Sequence, residues 1–252
     1  MPSDTAISIP HVHAVIFLIM HRKAINHLKR ADPVLARVIE RVGPCRYTVR
    51  ADGTHFDAVV RAIVYQQLSG SAAFTIHSRL LGRFGGVTPQ PQVLLDTPDS
   101  ELRALGLSRQ KTGYLKDLSR RVACGEVPLS TLHDLDDDAI ITALTTVKGV
   151  GVWTAQMFLM FRLGRPDVLP DLDLGIRKAI QRAYRTRGLP TSERVQRIGA
   201  PWSPFSSVAC WYLWRSLELA DTSGTPAAKR QGGSGARQRG TRKETRARRA
   251  AR

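Results

Sequence analysis

At 252 residues, with 42% hydrophobic and 6% aromatic side chains, the chain can bury a sizeable core in one large domain or two small lobes. A net charge of +17 and a pI near 10.8 favour a polyanionic partner, either nucleic acid or an acidic membrane surface. Cys45, Cys124 and Cys210 lie far apart, which excludes a disulfide framework and any cysteine cluster at zinc or iron–sulfur spacing, and fits a reducing cytoplasm.

Met1 to Arg22 contains seven consecutive apolar residues, Ala14 to Met20. That run is too short to span a bilayer, and it lacks the basic flank and cleavage site of a signal peptide. Residues 1–22 are therefore read as an N-terminal extension, or as a start set ahead of a true first residue at Met20. Asp32-Pro33 opens a helix, with Val34, Leu35, Val38, Ile39 and Val42 at helical spacing and Gly43 as the stop. Thr54 caps the next helix, whose apolar face carries Phe56, Val59, Val60, Ile63 and Val64. A turn, Gln66-Gln67-Leu68-Ser69-Gly70, leads into a helix expected from about Ala72 to Arg83. Asp96-Thr97-Pro98 starts a short helix ending at Gly106, Ser108 starts one running to Ala123, and Asp136 starts another that ends near Val147. Thr191 and Ser203-Pro204 mark two further starts. No convincing alternation of strands appears, so the body is all-α. From Thr222 to Arg252 there are ten basic residues and one acid, +9 of the +17. With no apolar period, residues 222–252 are expected to be a disordered basic tail, and the remaining +8 still favours a polyanion.

Between these elements lies a stretch that carries chemistry. Lys148-Gly149-Val150-Gly151 is a tight turn in which both glycines permit positive φ and close backbone approach. Its amides and the following helix N-terminus, from Val152 to about Leu163, can receive a phosphate. A proline-flanked loop then brings Asp171 and Asp173 to the start of another helix. Lys148-Gly149-Val150-Gly151-Val152-Trp153-Thr154-Ala155, with Asp173-Leu174-Gly175-Ile176-Arg177 downstream, resembles the helix-hairpin-helix DNA glycosylases, most closely the 3-methyladenine DNA glycosylase II branch. The likeness covers roughly Ile25 to Asp221, and residues 23–221 are read as the glycosylase domain.

That resemblance implies two helical lobes flanking a cleft, one holding about Phe74 to Leu163 and the other built from the terminal helices. It implies excision of alkylated purines from double-stranded DNA in base excision repair, in the cytoplasm at the nucleoid, by a monomer that needs no membrane and no cofactor. Asp173 would stabilise the oxocarbenium-like sugar and orient or deprotonate water; its alternative reading is a helix cap alone. Asp171, just after Pro170, is the rival acid, its alternative reading being to order the loop. Lyase relatives carry a Schiff-base lysine where Trp153 stands, so strand cleavage is not expected. Trp153 and Trp214, with Met157 and Leu174, would line the base pocket, the indoles suiting a cationic base; the alternative is core packing. Lys148, Gly149, Val150, Gly151 and Thr154 would form the DNA-binding hairpin. Gln66, Gln67 and Leu68 would form a wedge, with Leu68 filling the vacated stack or else closing a helix end. Backbone carbonyls of Thr145, Val147 and Val150 would hold a structural Na+ or K+. Arg109, Lys111, Lys116, Arg120 and Arg121 could follow phosphates or form a solvated face. A non-enzymatic DNA-binding module using the same hairpin is the rival, and such a module would need neither Asp173 nor the Gln-Gln-Leu turn.

Overall fold

A computed structural model describes residues 21–222, with side chains described as far as residue 219. The N-terminal extension, apart from its last two residues, and the basic tail beyond residue 222 lie outside the described residues. Every regular element among those described is helical.

Local capping chemistry accounts for most helix starts. Helix α1 covers residues 21–31. Asp32 caps α2 (Pro33–Val42) by accepting from Val34 and Leu35 N–H, and Gly43 ends it at φ 85°. Thr54 and Asp57 form a reciprocal capping box on α3 (His55–Tyr65). Ser69 caps α4 (Gly70–Arg83), which begins two residues before the expected Ala72 because the serine hydroxyl accepts from Ala72 N–H. Helix α5 (Pro91–Asp96) was not anticipated: it is one short turn with Leu94 as its buried residue, too brief for a period to show. Asp96 therefore closes a helix instead of opening one, and Pro98 stands at the start of α6 (Asp99–Ala104). Ser108 caps α7 (Arg109–Ala123) and Asp136 caps α8 (Asp137–Thr145). Helix α9 (Val152–Phe158) widens into a π-helical turn over Leu159–Leu163. Asp173 caps α10 (Leu174–Ala183) and Thr191 caps α11 (Ser192–Gly199). A cis Ser203–Pro204 bond precedes α12 (Ser206–Thr222).

Helix α3 packs on α4, α7 and α9, while α5 and α6 pack on α7, and α8 on α9. A second group is formed by α2, α10 and α12. Helix α3 thus joins the first lobe, whose start lies well before the expected Phe74, because Val60, Ile63 and Val64 are buried in it. In the second group the Asp32 carboxylate is a hub. Beyond capping α2, it accepts from Tyr184 Oη at 2.5 Å on α10's end and from Trp202 Nε1 at 2.9 Å.

Candidate active site

Asp173 is both a helix cap and the centre of a larger arrangement. Its Oδ1 accepts the Ile176 N–H at 2.7 Å, the ordinary capping bond. The same oxygen accepts Trp214 Nε1–H at 2.9 Å, and Oδ2 accepts Trp153 Nε1–H at 2.8 Å. Trp153 comes from α9 and Trp214 from α12, so the carboxylate is held from both lobes. Trp214 is half-buried, its ring tilted against Phe161 at a centroid separation of 6.1 Å. Trp153 is 50% exposed. Asp171 points elsewhere: its Oδ2 accepts from Ser192 Oγ and Gln196 Nε2, both at 2.5 Å, tying the loop to α11.

A cleft of about 1070 Å³ opens beside this group. Ala58, Ala62 and Tyr65 of α3 line one side, Trp153, Thr154 and Met157 of α9 another, and Gln66, Gln67 and Tyr114 also line it. Trp153 connects the cleft to the acid, with its ring on the wall and its N–H on Asp173. Two residues expected in the base pocket are placed differently. Leu174, in the first turn of α10, is 53% exposed and does not line the cleft, because the start of that helix faces solvent. Trp214 also stands outside the lining, turned onto the carboxylate.

The hairpin is held from behind. Gly149 has φ 81°, and a Cβ there would stand 2.2 Å from Tyr114 Cδ2. Gly151 differs from the expectation of positive φ. Its φ is −95°, a value open to any residue, and a Cβ there would meet open space. The Lys148 side chain belongs to an exposed residue, while its N–H donates to Asp117 Oδ2 at 2.9 Å. Burial pushes the Asp117 carboxyl up, but the Lys148 N–H and the Arg121 guanidinium outweigh it and hold the group below its usual range. The Val147 carbonyl accepts the Val150 N–H at 3.0 Å, closing the turn. Carbonyls such as those of Thr145, Val147 and Val150 are hard oxygen donors, the kind an alkali cation takes. Among the described residues no group of three or more His, Cys, Asp or Glu could hold a metal ion.

The wedge turn is set against this hairpin. Gln66 Nε2 donates to the Gly149 carbonyl at 2.8 Å, Gln67 has φ 55°, and Leu68 is 39% exposed at the tip. A non-glycine residue at positive φ is uncommon and is held by its surroundings. Lys111 does that holding, donating to the Val64 and Gln66 carbonyls at 2.6 and 2.7 Å. It is therefore a clamp on the end of α3, not a phosphate contact. Lys116 is likewise committed, to the Leu95 carbonyl at 2.6 Å and to Thr97 O. Arg120 and Arg121 pair with Asp117 and Glu126, leaving Arg109 as the exposed member of the set without such a bond among the described residues. Sequence reasoning missed Tyr114, Asp117 and the clamp role of Lys111. The only local signal was their spacing three apart along one side of α7.

Residues 60–204 match the model of a family described as HhH-GPD superfamily base excision DNA repair protein. DNA-3-methyladenine glycosylase 1 of Schizosaccharomyces pombe is 33% identical over 202 residues, 79% of this chain and 89% of its own. Bacillus subtilis YfjP is 35% identical over 173 residues; the match takes in 66% of this chain and spans 60% of the length of that relative. The solved structure of S. pombe 3-methyladenine DNA glycosylase (Mag1) in complex with abasic DNA aligns with a TM-score of 0.69 at 32% identity, over 79% of this chain and 98% of that one.

Proposed function

The chain belongs to the HhH-GPD superfamily of base excision DNA repair proteins, and from that premise we propose that it is a monofunctional glycosylase for alkylated purines of the 3-methyladenine and 7-methylguanine type. The observation that carries this reading is Asp173: a carboxylate at a helix start, beside a cleft, gripped by two indole N–H groups. The substrate is double-stranded DNA. The hairpin of Lys148, Gly149, Val150, Gly151 and Thr154 takes a backbone phosphate on the amides not already given to Asp117 and to the Val147 carbonyl, and on the start of α9. Leu68, preceded by Gln66 and Gln67, enters the stack as the lesion turns out. The flipped base lies in the cleft against Trp153 and Met157, where an electron-rich indole face favours a positively charged purine.

In the reaction the base leaves with the electron pair of its glycosidic bond. Positive charge grows on the sugar, and the Asp173 carboxylate stabilises it. Water then adds at the anomeric carbon, with Asp173 orienting it and taking its proton. Trp153 offers no amine for a Schiff base, which supports hydrolysis without strand cleavage. The protein acts as a monomer at the nucleoid and needs no cofactor for the chemistry. A Na+ or K+ on the Thr145, Val147 and Val150 carbonyls would stiffen the hairpin and add positive charge near the phosphate.

Release of free base from methylated duplex DNA, by the wild type and by Asp173→Asn, tests the proposal. The variant should lose about a hundredfold or more in rate while keeping its affinity for DNA. Absence of release by the wild type across methylated and deaminated duplexes would favour a DNA-binding module instead.

A further inference from the structure

We propose that Trp153 and Trp214 are positioning residues that act through their indole N–H groups, and that they divide the two oxygens of Asp173 between a structural and a reactive role. The inference rests on the reading of Asp173 given above. A carboxylate oxygen offers two in-plane acceptor directions. Oδ1 has both taken, by the Ile176 N–H at 2.7 Å and by Trp214 Nε1–H at 2.9 Å. Oδ2 has one taken, by Trp153 Nε1–H at 2.8 Å. Oδ2 is therefore the oxygen with a direction left for the water proton or for the charge growing on the sugar.

The surroundings fix this division. Gly175 lies under Trp214: a Cβ there would stand 2.9 Å from Trp214 Cδ1 and 3.0 Å from Asp173 Oδ1. Trp214 is thus seated on the helix cap itself, with Phe161 behind it. Trp153 presents its ring to the cleft and its N–H to Oδ2. The two uses of Trp153 are separable. A stacking platform needs an aromatic face, which phenylalanine supplies. Holding Oδ2 needs a donor, which phenylalanine lacks.

Single-turnover release of 7-methylguanine from a methylated duplex would be compared for the wild type, Trp153→Phe, Trp214→Phe and a protein carrying 3-benzothienylalanine at position 153. That residue keeps the bicyclic shape and replaces the N–H by sulfur. Each change should slow release about tenfold or more, the size expected for a hydrogen bond to a charged group tightened in the transition state. Affinity for duplex carrying an abasic site should stay within about twofold. A wild-type rate with benzothienylalanine would overturn the proposal, even if the phenylalanine variants folded poorly. In parallel, the indole 15N–1H signals of both tryptophans should move upfield and exchange faster in Asp173→Ala. Unmoved signals would overturn the proposal whatever the activity. An inactive wild type would sink the functional reading and the division of roles with it, whereas an active wild type with unimpaired variants would sink the division alone.

Discussion

Gly149 and Gly151 show how far two identical residues can differ in what they do. As letters both read as turn glycines. In the fold, Gly149 is demanded twice, by its φ of 81° and by the Tyr114 ring, while Gly151 is demanded by neither. Gly149→Ala should therefore destabilise the protein by about 2–3 kcal/mol, lowering Tm in thermal unfolding by roughly 5–10 °C. Gly151→Ala should leave Tm nearly unchanged and weaken duplex binding, since the added methyl occupies the space offered to a phosphate. An equal loss of stability in both would contradict this separation. The same limit applied to Asp173. Its place at a helix start was legible, because capping is a local pattern. Its indole donors were not, since they lie 20 and 41 residues away, and a contact over such a separation leaves no period in the sequence.

Among the elements, α7 works as a strut between the two parts proposed to touch DNA. Lys111 holds the wedge turn, Tyr114 backs Gly149, and Asp117 holds the Lys148 amide. Gln66 closes the circuit by reaching Gly149 from the wedge side. Lys111→Met keeps the aliphatic stem and removes the donor, so the end of α3 should loosen while the hairpin stays intact. Excision from stably paired sites should slow about fivefold or more, and excision from mismatched sites much less, because a mismatch lowers the cost of flipping. Leu68→Ala should show the same preference. Slowing that ignores the pairing partner would argue that Lys111 serves general stability only. The sequence displayed α7 as a basic face, and a lysine reads the same whether it meets a phosphate or a carbonyl. Only the arrival of α3's end beside it decides between them. The helix expected from Val152 to about Leu163 takes in the wide turn after α9 but gives no sign of its widening, for a related reason. That turn serves distant partners, with the Phe161 carbonyl accepting from Arg50 N–H at 2.8 Å and the Arg162 guanidinium reaching the Arg50, Asp52 and Gly53 carbonyls.

For the molecule as a whole, the all-helical architecture and most helix starts followed from caps and apolar spacing, whereas the two-lobe arrangement came from resemblance. The Asp32 hub explains part of how the second lobe is built from chain segments far apart. Asp32→Ala removes a cap and strands a buried indole N–H and a phenol. It should cost about 3–5 kcal/mol and lower Tm by roughly 10 °C, with DNA excision at low temperature little changed. Trp153 and Asp173 meet from opposite lobes across 2.8 Å, and that single bond has an optical consequence. Trp202 is sealed in the core, while Trp153 is open to water. Fluorescence quenching by an aqueous iodide solution would therefore sample Trp153 ahead of Trp202. Any parting of the lobes would free its indole from the carboxylate, so the protein's own ultraviolet emission would register whether the bond from α9 to Asp173 is made.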